Sequence, residues 1–386
     1  MFLTPTYKPA YVYGGVIVVT SLLAEALAKN GHEVIVYTTN GNGVADLKVE
    51  TGTEINVDGV KVFYFKRFTR GHSNISPAFW RKINSNVKNF DIVHLHSWWN
   101  PTIIIAAAIC KMQGIRPILS PHGMLCEYIL ETNNKRIKQL LHYLFGKSLL
   151  QNTFLHVSSE MEWNESQKIV GGDWPGANIF NLVELKHSIP ATIKTDNAPF
   201  VIGFLSRIDP KKRIDLLIKA LSKVSYNYRL KIAGNGDCRY VRYLKNLSIE
   251  YGNSHKIDWV GWKDNLEKYE FYSSIDLFAL LSFNENFGVV VIEALSVGTP
   301  VFLSSQVGLS DFVEQRSLGW IINENQTEKV VETLELIYKD RDKCFEIKSM
   351  APSIIQKDFN SYLLTNEYLE FYSKVKGMSV EKCNSI

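Results

Sequence analysis

The chain has 386 residues, of which 46% are hydrophobic and 21% charged, and its formal net charge is +4. These values are typical of a globular protein long enough for two cores, and so weak a charge gives no reason to expect nucleic acid as a partner. The five cysteines are scattered without a CxxC pair, which argues against a disulfide framework or a zinc site and fits a reducing compartment. No apolar run approaches the ~18 residues of a membrane span, and the start has no signal-like segment, so we expect a cytoplasmic protein.

Strand-like and helix-like runs alternate through the first half of the chain. The first strand is very short, as if a few residues were absent before Met1, and a helical pattern follows at 20–30. Further strand-like runs lie at 31–39, 60–67, 91–97, 116–123 and 153–159. Continuous apolar strands separated by amphipathic helices indicate a parallel sheet that helices cover on both faces.

The pattern breaks at 187–199, a polar stretch with two prolines that we interpret as a linker. A second alternation follows, with strands predicted at 200–207, 229–236, 256–262, 274–282, 300–305 and 318–322. Helices are predicted at 213–225, at 237–252, after Phe287, at 326–346 and at 360–375. The predicted fold class is α/β, with two doubly wound Rossmann-like domains facing each other across a cleft. Residues 1–186 form the predicted first domain, 200–358 the second, and 359–386 a C-terminal helix that packs back toward the first.

Ligands of such sheets bind beyond the carboxyl ends of the strands, so the residues that follow strands are the candidates for a site. Arg207 ends the strand at 200–207 and Lys212 follows five residues later, where their charges suit a pyrophosphate; the alternative is a solvated basic loop. Gly236 follows the next strand, and it either lets backbone approach a ligand or makes a tight turn.

The stretch ENFGVVVIE (285–293) carries an acid at each end of an apolar run. Glu285 is predicted to precede a helix that Phe287 and Gly288 open, and Glu293 to lie one to two turns inside it. The free amides of such a helix start attract anions, while the two acids can accept hydrogen bonds from sugar and ribose hydroxyls. The alternative is a helix-terminal acid plus a buried salt bridge. The predicted donor-binding loop consists of Glu285, Asn286, Phe287, Gly288 and Val289, with Glu293 behind it.

In the first domain, Gly14 and Gly15 precede a helix and offer backbone amides to a phosphate. They are not part of a GxGxxG sequence, so the dinucleotide-binding fingerprint is absent. His122 follows a strand, where it either donates to a phosphate or sugar hydroxyl or is structural.

Aromatic side chains at the exit of the strand at 91–97 are the candidates for the acceptor side. Trp98 and Trp99 provide either a stacking surface for an acceptor sugar or internal packing. His96 lies on the strand itself, where it lines the cleft or packs; no third ligand is evident that would make a metal site with His94.

The helix predicted at 133–151 begins with basic residues and carries an apolar stripe of Ile137, Leu140, Leu141, Leu144 and Phe145. We expect the stripe to pack on the sheet. The alternative for the basic start is contact with an anionic membrane surface or a lipid-pyrophosphate acceptor, which would make the protein peripheral on the cytoplasmic face.

Taken in order, these pieces resemble the retaining glycosyltransferases of family 4 (glycosyl transferases group 1), which have the GT-B fold. The resemblance covers nearly the whole chain and is carried by Glu285 and Glu293 with their inner Phe-Gly, downstream of Arg207 and Lys212. The early Gly-Gly, PHG at 121–123 and GTPV at 298–301 support it. One departure is FNLVEL at 180–185, where such enzymes often have P-N-G-V.

The resemblance implies that Arg207 and Lys212 bind the donor pyrophosphate and that Glu293 binds the ribose. It also implies that Glu285 and the neighbouring backbone amides bind the transferred sugar. It also places the Gly14-Gly15 loop beside the phosphates and His122 near the reacting sugar, so that His122, Glu285, Arg207 and Lys212 form the expected catalytic set.

The expected function is transfer of a sugar from a nucleotide diphosphate sugar to a hydroxyl of a saccharide or lipid-linked saccharide, with retention. Surface polysaccharide or glycoconjugate biosynthesis is the expected setting. We expect no cofactor and no metal, and we discount the D-x-D at Asp340-Arg341-Asp342 as a metal site because it is predicted inside an exposed helix.

Three alternatives remain on the sequence alone. A glycoside hydrolase needs two carboxylates about 5–9.5 Å apart, which Glu285 and Glu293 meet only with a distorted helix. A nicotinamide-dependent oxidoreductase lacks its glycine fingerprint here. A non-catalytic binding or assembly subunit is disfavoured by the intact set of charged residues.

Overall fold

The computed structural model describes the chain except for residues 72, 127, 128, 130–134, 186–197, 325 and 384–386. The chain divides into two compact units. The first unit is Met1–Glu184 together with Ser361–Ile386, and the second unit is Leu185–Asn360. The predicted linker at 187–199 falls outside the described residues except for its last two positions.

The first unit is built on an eight-stranded sheet of order β10-β9-β8-β7-β1-β2-β6-β5. All neighbours pair in parallel except β5 and β6. The first-unit strands, of which β3 and β4 form a separate small hairpin, are β1 (Phe2–Leu3), β2 (Ile35–Thr39), β3 (Gly41–Asn42), β4 (Ala45–Asp46), β5 (Glu54–Val57), β6 (Val60–Phe65), β7 (His94–His96), β8 (Ile118–Ser120), β9 (Phe154–Val157) and β10 (Gly176–Asn178).

The helices of the first unit begin where short polar side chains satisfy their free amides. Ser76, Asn100 and Ser159 each accept a hydrogen bond from an amide of the first helical turn. The helices before the second unit are α1 (Gly15–Lys29), α2 (Pro77–Asn86), α3 (Pro101–Met112), α4 (Lys135–Leu141), α5 (Lys147–Gln151) and α6 (Glu160–Val170). Their apolar faces and one face of the sheet enclose a core that includes Phe79, Trp98 and Trp174.

The second unit has a six-stranded, wholly parallel sheet of order β13-β12-β11-β14-β15-β16. Its strands are β11 (Phe200–Leu205), β12 (Tyr228–Ala233), β13 (Ile257–Gly261), β14 (Leu277–Leu280), β15 (Val301–Ser304) and β16 (Gly319–Ile322). Its helices are α7 (Ile214–Leu221), α8 (Cys238–Glu250), α9 (Asn265–Ser273), α10 (Val289–Ser296), α11 (Ser310–Gln315), α12 (Thr327–Lys339) and α13 (Arg341–Asp358). Every residue of β11, β14 and β15 is buried, as expected for strands covered on both faces.

The helix predicted at 326–346 is wrong as a single element. The chain leaves the helical conformation at Asp340, whose carboxylate then accepts a hydrogen bond from the amide of Lys343 and begins α13. Asp340 is therefore a helix cap instead of a mid-helix residue. The last helix, α14 (Ser361–Cys383), returns to the first unit and runs further than the predicted 360–375.

The apolar stripe expected to pack on the first sheet is largely exposed. In α4, a π-helical turn at His142–Gly146 and α5, the exposed fractions are 57% for Leu140, 53% for Leu144 and 58% for Phe145. The prediction fails because Gly146, Leu149 and Leu150 turn toward the core instead. Among the described residues, no helix combines the length and the hydropathy needed to cross a bilayer.

Candidate active site

The candidate site of the second unit lies where the strand order reverses. β11 and β14 are sheet neighbours although the strands β12 and β13 lie between them in sequence, and such a switch point leaves a crevice beyond the carboxyl ends of the two strands. Arg207 follows β11 and Glu285 follows β14. The topology thus brings the predicted phosphate-binding and sugar-binding residues to one edge of the sheet.

Main-chain hydrogen bonds tie the loops at this edge together. The amide of Ile208 donates to the carbonyl of Asn235 at 2.8 Å, and the amide of Phe283 donates to the carbonyl of Lys211 at 2.8 Å. A Cβ on Gly236 would lie 2.1 Å from the Ile208 oxygen, so only glycine fits there. The loops after β11, β12 and β14 are therefore connected by hydrogen bonds. Close packing of the loops after β11 and β12 explains why residue 236 is a glycine.

Lys212 is aimed at Glu285. It ends a 3-10 turn at Pro210–Lys212 that the Asp209 carboxylate caps, and its Nζ forms an ion pair with the Glu285 carboxylate. The side chains are 10% and 23% exposed, so solvent screens the pair only in part. Arg207 is exposed and forms no ion pair within the described part of the chain.

The main chain fixes Glu285 in place. Its amide donates to the Gln306 carbonyl at 2.9 Å, and its carbonyl accepts from the Gly308 amide at 2.7 Å. Gly288 caps α10 at a φ of 91°, a conformation that favours glycine. Phe287 is 4% exposed and packs edge-on against Phe359, with 6.3 Å between the ring centroids. The phenyl ring is thus a core anchor that holds the start of α10 beside Glu285.

Glu293 is the fifth residue of α10 and is 6% exposed. Its carboxylate forms an ion pair with Lys268, and it accepts a hydrogen bond from the Tyr272 hydroxyl at 3.1 Å. The buried salt bridge that the alternative interpretation of Glu293 required is thus present. It offsets the free-energy cost of burying the carboxylate. Burial, and next the charge of Glu293, raise the pKa of Tyr272 well above its ordinary value. Lys268 and Tyr272 both come from α9, and sequence reasoning missed them.

The first unit has an equivalent reversal of strand order between β1 and β7. The chain after β1 runs to Gly14, which caps α1 at a φ of 82°, and to Gly15. A Cβ at either glycine would meet nothing within 4 Å, so the loop has open space above it. Their predicted contact with phosphates stays a prediction.

Arg67, which sequence reasoning also missed, organises this loop region. It is 4% exposed, pairs with Asp46 at 2.6 Å, and donates to the carbonyls of Gly43 and Gly71. Gly71 also accepts from the Tyr13 hydroxyl, directly before Gly14. An arginine after β6 gives no sequence signal for such a role, because its partners come from several loops.

Four histidines form a compact array: His94 and His96 on β7, His122 shortly after β8 and His156 on β9. His96 Nδ1 lies 3.1 Å from His122 Nε2, and the ring of His96 stacks on His94 at 4.3 Å. Ser120 Oγ bridges His94 Nε2 at 2.7 Å and His156 Nδ1 at 2.6 Å. Desolvation, and next the charge of His156, lower the pKa of His122 to about 3. A neutral His122 can exchange hydrogen bonds with a hydroxyl, although its role at a reacting sugar stays a prediction.

The array makes stability depend on pH. Burial lowers the pKa of His156 to about 4, whereas the unfolded chain protonates it near 6.5. The contribution of neutral, buried His156 to the free energy of unfolding is therefore complete above about pH 6.5 and is lost as the pH falls toward 4. We expect the free energy of unfolding to fall by about 1–2 kcal/mol per such histidine between about pH 7.5 and about pH 5, measured by urea denaturation.

His156→Gln is expected to reduce this pH dependence. It removes a histidine that takes up a proton at a higher pH in the unfolded chain than in the folded protein. His255→Gln is the matched control, since His255 is exposed. An unchanged pH slope in His156→Gln would contradict the assignment.

The two tryptophans differ. Trp98 is 0% exposed and belongs to the first-unit core, so the packing alternative applies to it and the stacking surface does not. Trp99 is partly buried, and its ring centroid lies 6.5 Å from that of Trp98. For Trp99, contact with an acceptor sugar stays a prediction. In the described part of the chain, no three His, Cys, Asp or Glu residues are placed to share a metal ion.

Comparison with known proteins agrees with this geometry. The family model described as glycosyl transferases group 1 matches residues 186–353, and the model described as glycosyltransferase family 4 matches residues 13–162. An uncharacterized glycosyltransferase, MJ1607, of Methanocaldococcus jannaschii is 28% identical over 338 residues, which are 82% of this chain and 83% of that protein.

Solved structures share the fold, and two of them illustrate the similarity. Anabaena Alr3699/HepE in complex with UDP and glucose has a TM-score of 0.72 at 18% identity, covering 97% of this chain and 98% of that one. WaaG, a glycosyltransferase involved in lipopolysaccharide biosynthesis, has a TM-score of 0.66 at 15% identity, covering 95% of this chain and 98% of that one.

Two Rossmann-like units of this topology, similar to those solved structures, define the GT-B fold. The chain belongs to glycosyltransferase family 4, the glycosyl transferases group 1, whose two models together match most of its length. Family membership favours sugar transfer over the hydrolase and oxidoreductase alternatives.

Proposed function

We propose that the second unit binds a nucleotide diphosphate sugar, with the pyrophosphate against Arg207 and Lys212. The observation that carries this proposal is the meeting of Lys212 and Glu285 beyond β11 and β14, with the exposed Arg207 on the adjoining loop. Arginine binds phosphate through its planar fork and lysine as a point charge. The α10 amides that follow Gly288 add a partial positive charge at the same edge.

Glu285 is proposed to accept hydrogen bonds from the transferred sugar. A carboxylate has about four acceptor positions, so one pairing with Lys212 leaves others for hydroxyls. Glu293 is proposed for the ribose, with Lys268 and Tyr272 holding its carboxylate in a fixed orientation. Asn286 and Val289 complete the proposed donor-binding loop.

The proposed reaction is transfer with retention. The bond between the anomeric carbon and the β-phosphate oxygen breaks, the acceptor hydroxyl forms the new bond on the same face, and its proton leaves with the nucleoside diphosphate. Lys212 and Arg207 stabilise the negative charge that grows on the departing phosphate, so we propose that no metal or other cofactor is required.

The proposed acceptor is a hydroxyl of a saccharide or lipid-linked saccharide in surface polysaccharide or glycoconjugate synthesis. Family membership supports this class, as does the fold shared with WaaG, a glycosyltransferase involved in lipopolysaccharide biosynthesis.

Thermal unfolding in the presence of nucleotide sugars tests the donor. UDP-glucose is the first probe, because the similar Alr3699/HepE binds UDP and glucose. We expect one nucleotide sugar to stabilise the protein by about 2.7 kcal/mol at 100 times its dissociation constant, and Lys212→Met to lose most of this effect. Failure of every nucleotide sugar to stabilise the wild type would contradict the proposal.

A further inference from the structure

A hydrogen bond in the plane of both rings joins His96 to His122. His96 Nδ1 lies 3.1 Å from His122 Nε2, the ring planes are inclined by 11°, and the ring centroids are 5.4 Å apart. That separation equals the distance between the nitrogens plus two ring radii, so the two nitrogens point straight at each other. Burial lowers the pKa of each ring, so both are neutral at neutral pH. Two neutral rings joined in this way share one hydrogen, which one nitrogen donates and the other accepts.

The main chain at His122 is held in place. Its φ of 53° lies in the left-handed region, which few residues other than glycine adopt. The next amide, that of Gly123, donates to the buried carboxylate of Glu162 at 2.5 Å. The Nδ1 edge of the partly exposed His122 ring reaches solvent, and it has no hydrogen-bond partner in the described part of the chain. Nδ1 is therefore the nitrogen of His122 that a ligand can contact.

The other nitrogen of His96 decides the direction of the shared hydrogen bond. If His122 donated from Nε2, His96 would accept at Nδ1 and carry its own hydrogen on Nε2. Nε2 of His96 is buried without a hydrogen-bond partner among the described residues, and a buried N–H left unpaired is rare and costly. Thr20 Oγ1, 3.4 Å from His96 Nδ1, takes at most a weak share of a hydrogen on that nitrogen. His96 therefore donates from Nδ1, and His122 accepts at Nε2 and carries its hydrogen on Nδ1.

We propose that His96 is a positioning residue that fixes His122 as the Nδ1–H tautomer, so that Nδ1 offers a hydrogen-bond donor to an oxygen of the reacting sugar. The contact with the sugar rests on the proposed function, whereas the tautomer does not. A bare Nδ1 could take a proton from the acceptor hydroxyl, but a protonated one cannot. The tautomer thus makes His122 a donor instead of a general base.

Nuclear magnetic resonance of the full chain labelled with ¹⁵N-histidine tests the tautomer without any substrate. Two-bond ¹H–¹⁵N couplings near neutral pH distinguish a hydrogen on Nδ1 from one on Nε2. We expect His122, identified by the signals that His122→Asn removes, to carry its hydrogen on Nδ1. His156 is the internal reference and should carry its hydrogen on Nε2, which lies 3.1 Å from the Ile179 carbonyl, a group that only accepts. A bare Nδ1 in His122 would overturn the proposal.

The variants His96→Asn and His96→Gln separate the hydrogen bond from packing. The asparagine amide can take the place of Nδ1, whereas the glutamine amide takes the place of Nε2 and leaves His122 without its donor. Glutamine is closer to histidine in size, so packing alone would favour His96→Gln. We expect His96→Asn to keep the tautomer and most of the turnover, and His96→Gln to lose the tautomer and about tenfold or more in turnover. Equal turnover of the two variants, or unchanged His122 signals in His96→Gln, would overturn the positioning role.

A double variant distinguishes positioning from a structural role of His96. In His122→Asn an amide can donate in place of Nδ1 and has no tautomer, and asparagine tolerates the φ of 53°. Adding His96→Gln to it should cost no further turnover, whereas a further tenfold loss would mean that His96 acts through packing.

His32→Gln is the matched control, because His32 is exposed in the same unit, and it should change neither the turnover nor the His122 signals. Circular dichroism should show that all variants are folded. If the wild type turned over no nucleotide sugar, the proposed function would fail, while the resonance experiment would still decide the tautomer.

Discussion

Replacing Lys212 by methionine is expected to lower the rate of sugar transfer by about 10²–10³-fold. The Lys212 side chain is 10% exposed, and its ammonium lies against Glu285 beyond the ends of two neighbouring strands, where little solvent is available to substitute for its charge. Methionine has a similar length and no charge, so packing is retained while the stabilisation of the departing phosphate is lost. Steady-state turnover with the donor identified by thermal stabilisation measures the effect, and Arg207→Met should act in the same direction.

The control is Lys223→Met. Lys223 lies in the same unit and pairs with Glu328 at 3.1 Å, but the two side chains are 50% and 70% exposed, so its removal should leave turnover unchanged. Wild-type turnover by both Lys212→Met and Arg207→Met would remove these residues from the proposed mechanism. Absence of turnover in the wild type with every nucleotide sugar would instead favour the alternative of a binding or assembly subunit.

Much of the fold could be predicted because buried parallel strands are continuous apolar runs. The run predicted at 200–207 is β11, and the run at 274–282 contains β14, so the residues after them could be placed at the sheet edge. The hairpin of β5 and β6 was missed although its signal is in the sequence. Asp58 and Gly59 both have positive φ, 52° and 88°, as an Asp-Gly turn between two strands predicts.

The partners of the site residues could not be predicted, because they depend on tertiary packing. Glu293 finds Lys268 and Tyr272 on α9, on a helix earlier in the chain, and no spacing rule links the three. Leu182, which departs from the family pattern, is 3% exposed, so a packing role accounts for an apolar residue there. Sequence places main chain at a strand end, but the packing of neighbouring helices decides which side chains meet.

Replacing Lys268 by methionine is expected to lower the free energy of unfolding by about 3 kcal/mol. The Glu293 side chain is 8% exposed, and among the described residues only the Tyr272 hydroxyl would still contact its buried charge without Lys268. Tyr272→Phe is the matched comparison, because it removes one hydrogen bond, keeps the ion pair, and should cost about 1 kcal/mol. Urea denaturation of each variant at neutral pH measures the difference.

The double variant Lys268→Met/Glu293→Gln separates the ion pair from local packing. Glutamine carries no charge, so the penalty of an unpaired buried carboxylate disappears, and the double variant should be more stable than Lys268→Met alone. If Glu293 also binds the ribose, the same double variant should still lose stabilisation by the nucleotide sugar, because glutamine replaces one of the two acceptor oxygens by an NH₂ donor and carries no charge. Lys268→Met as stable as the wild type would mean that the pair does not offset the burial of Glu293, and the position of that acid in α10 would need another cause.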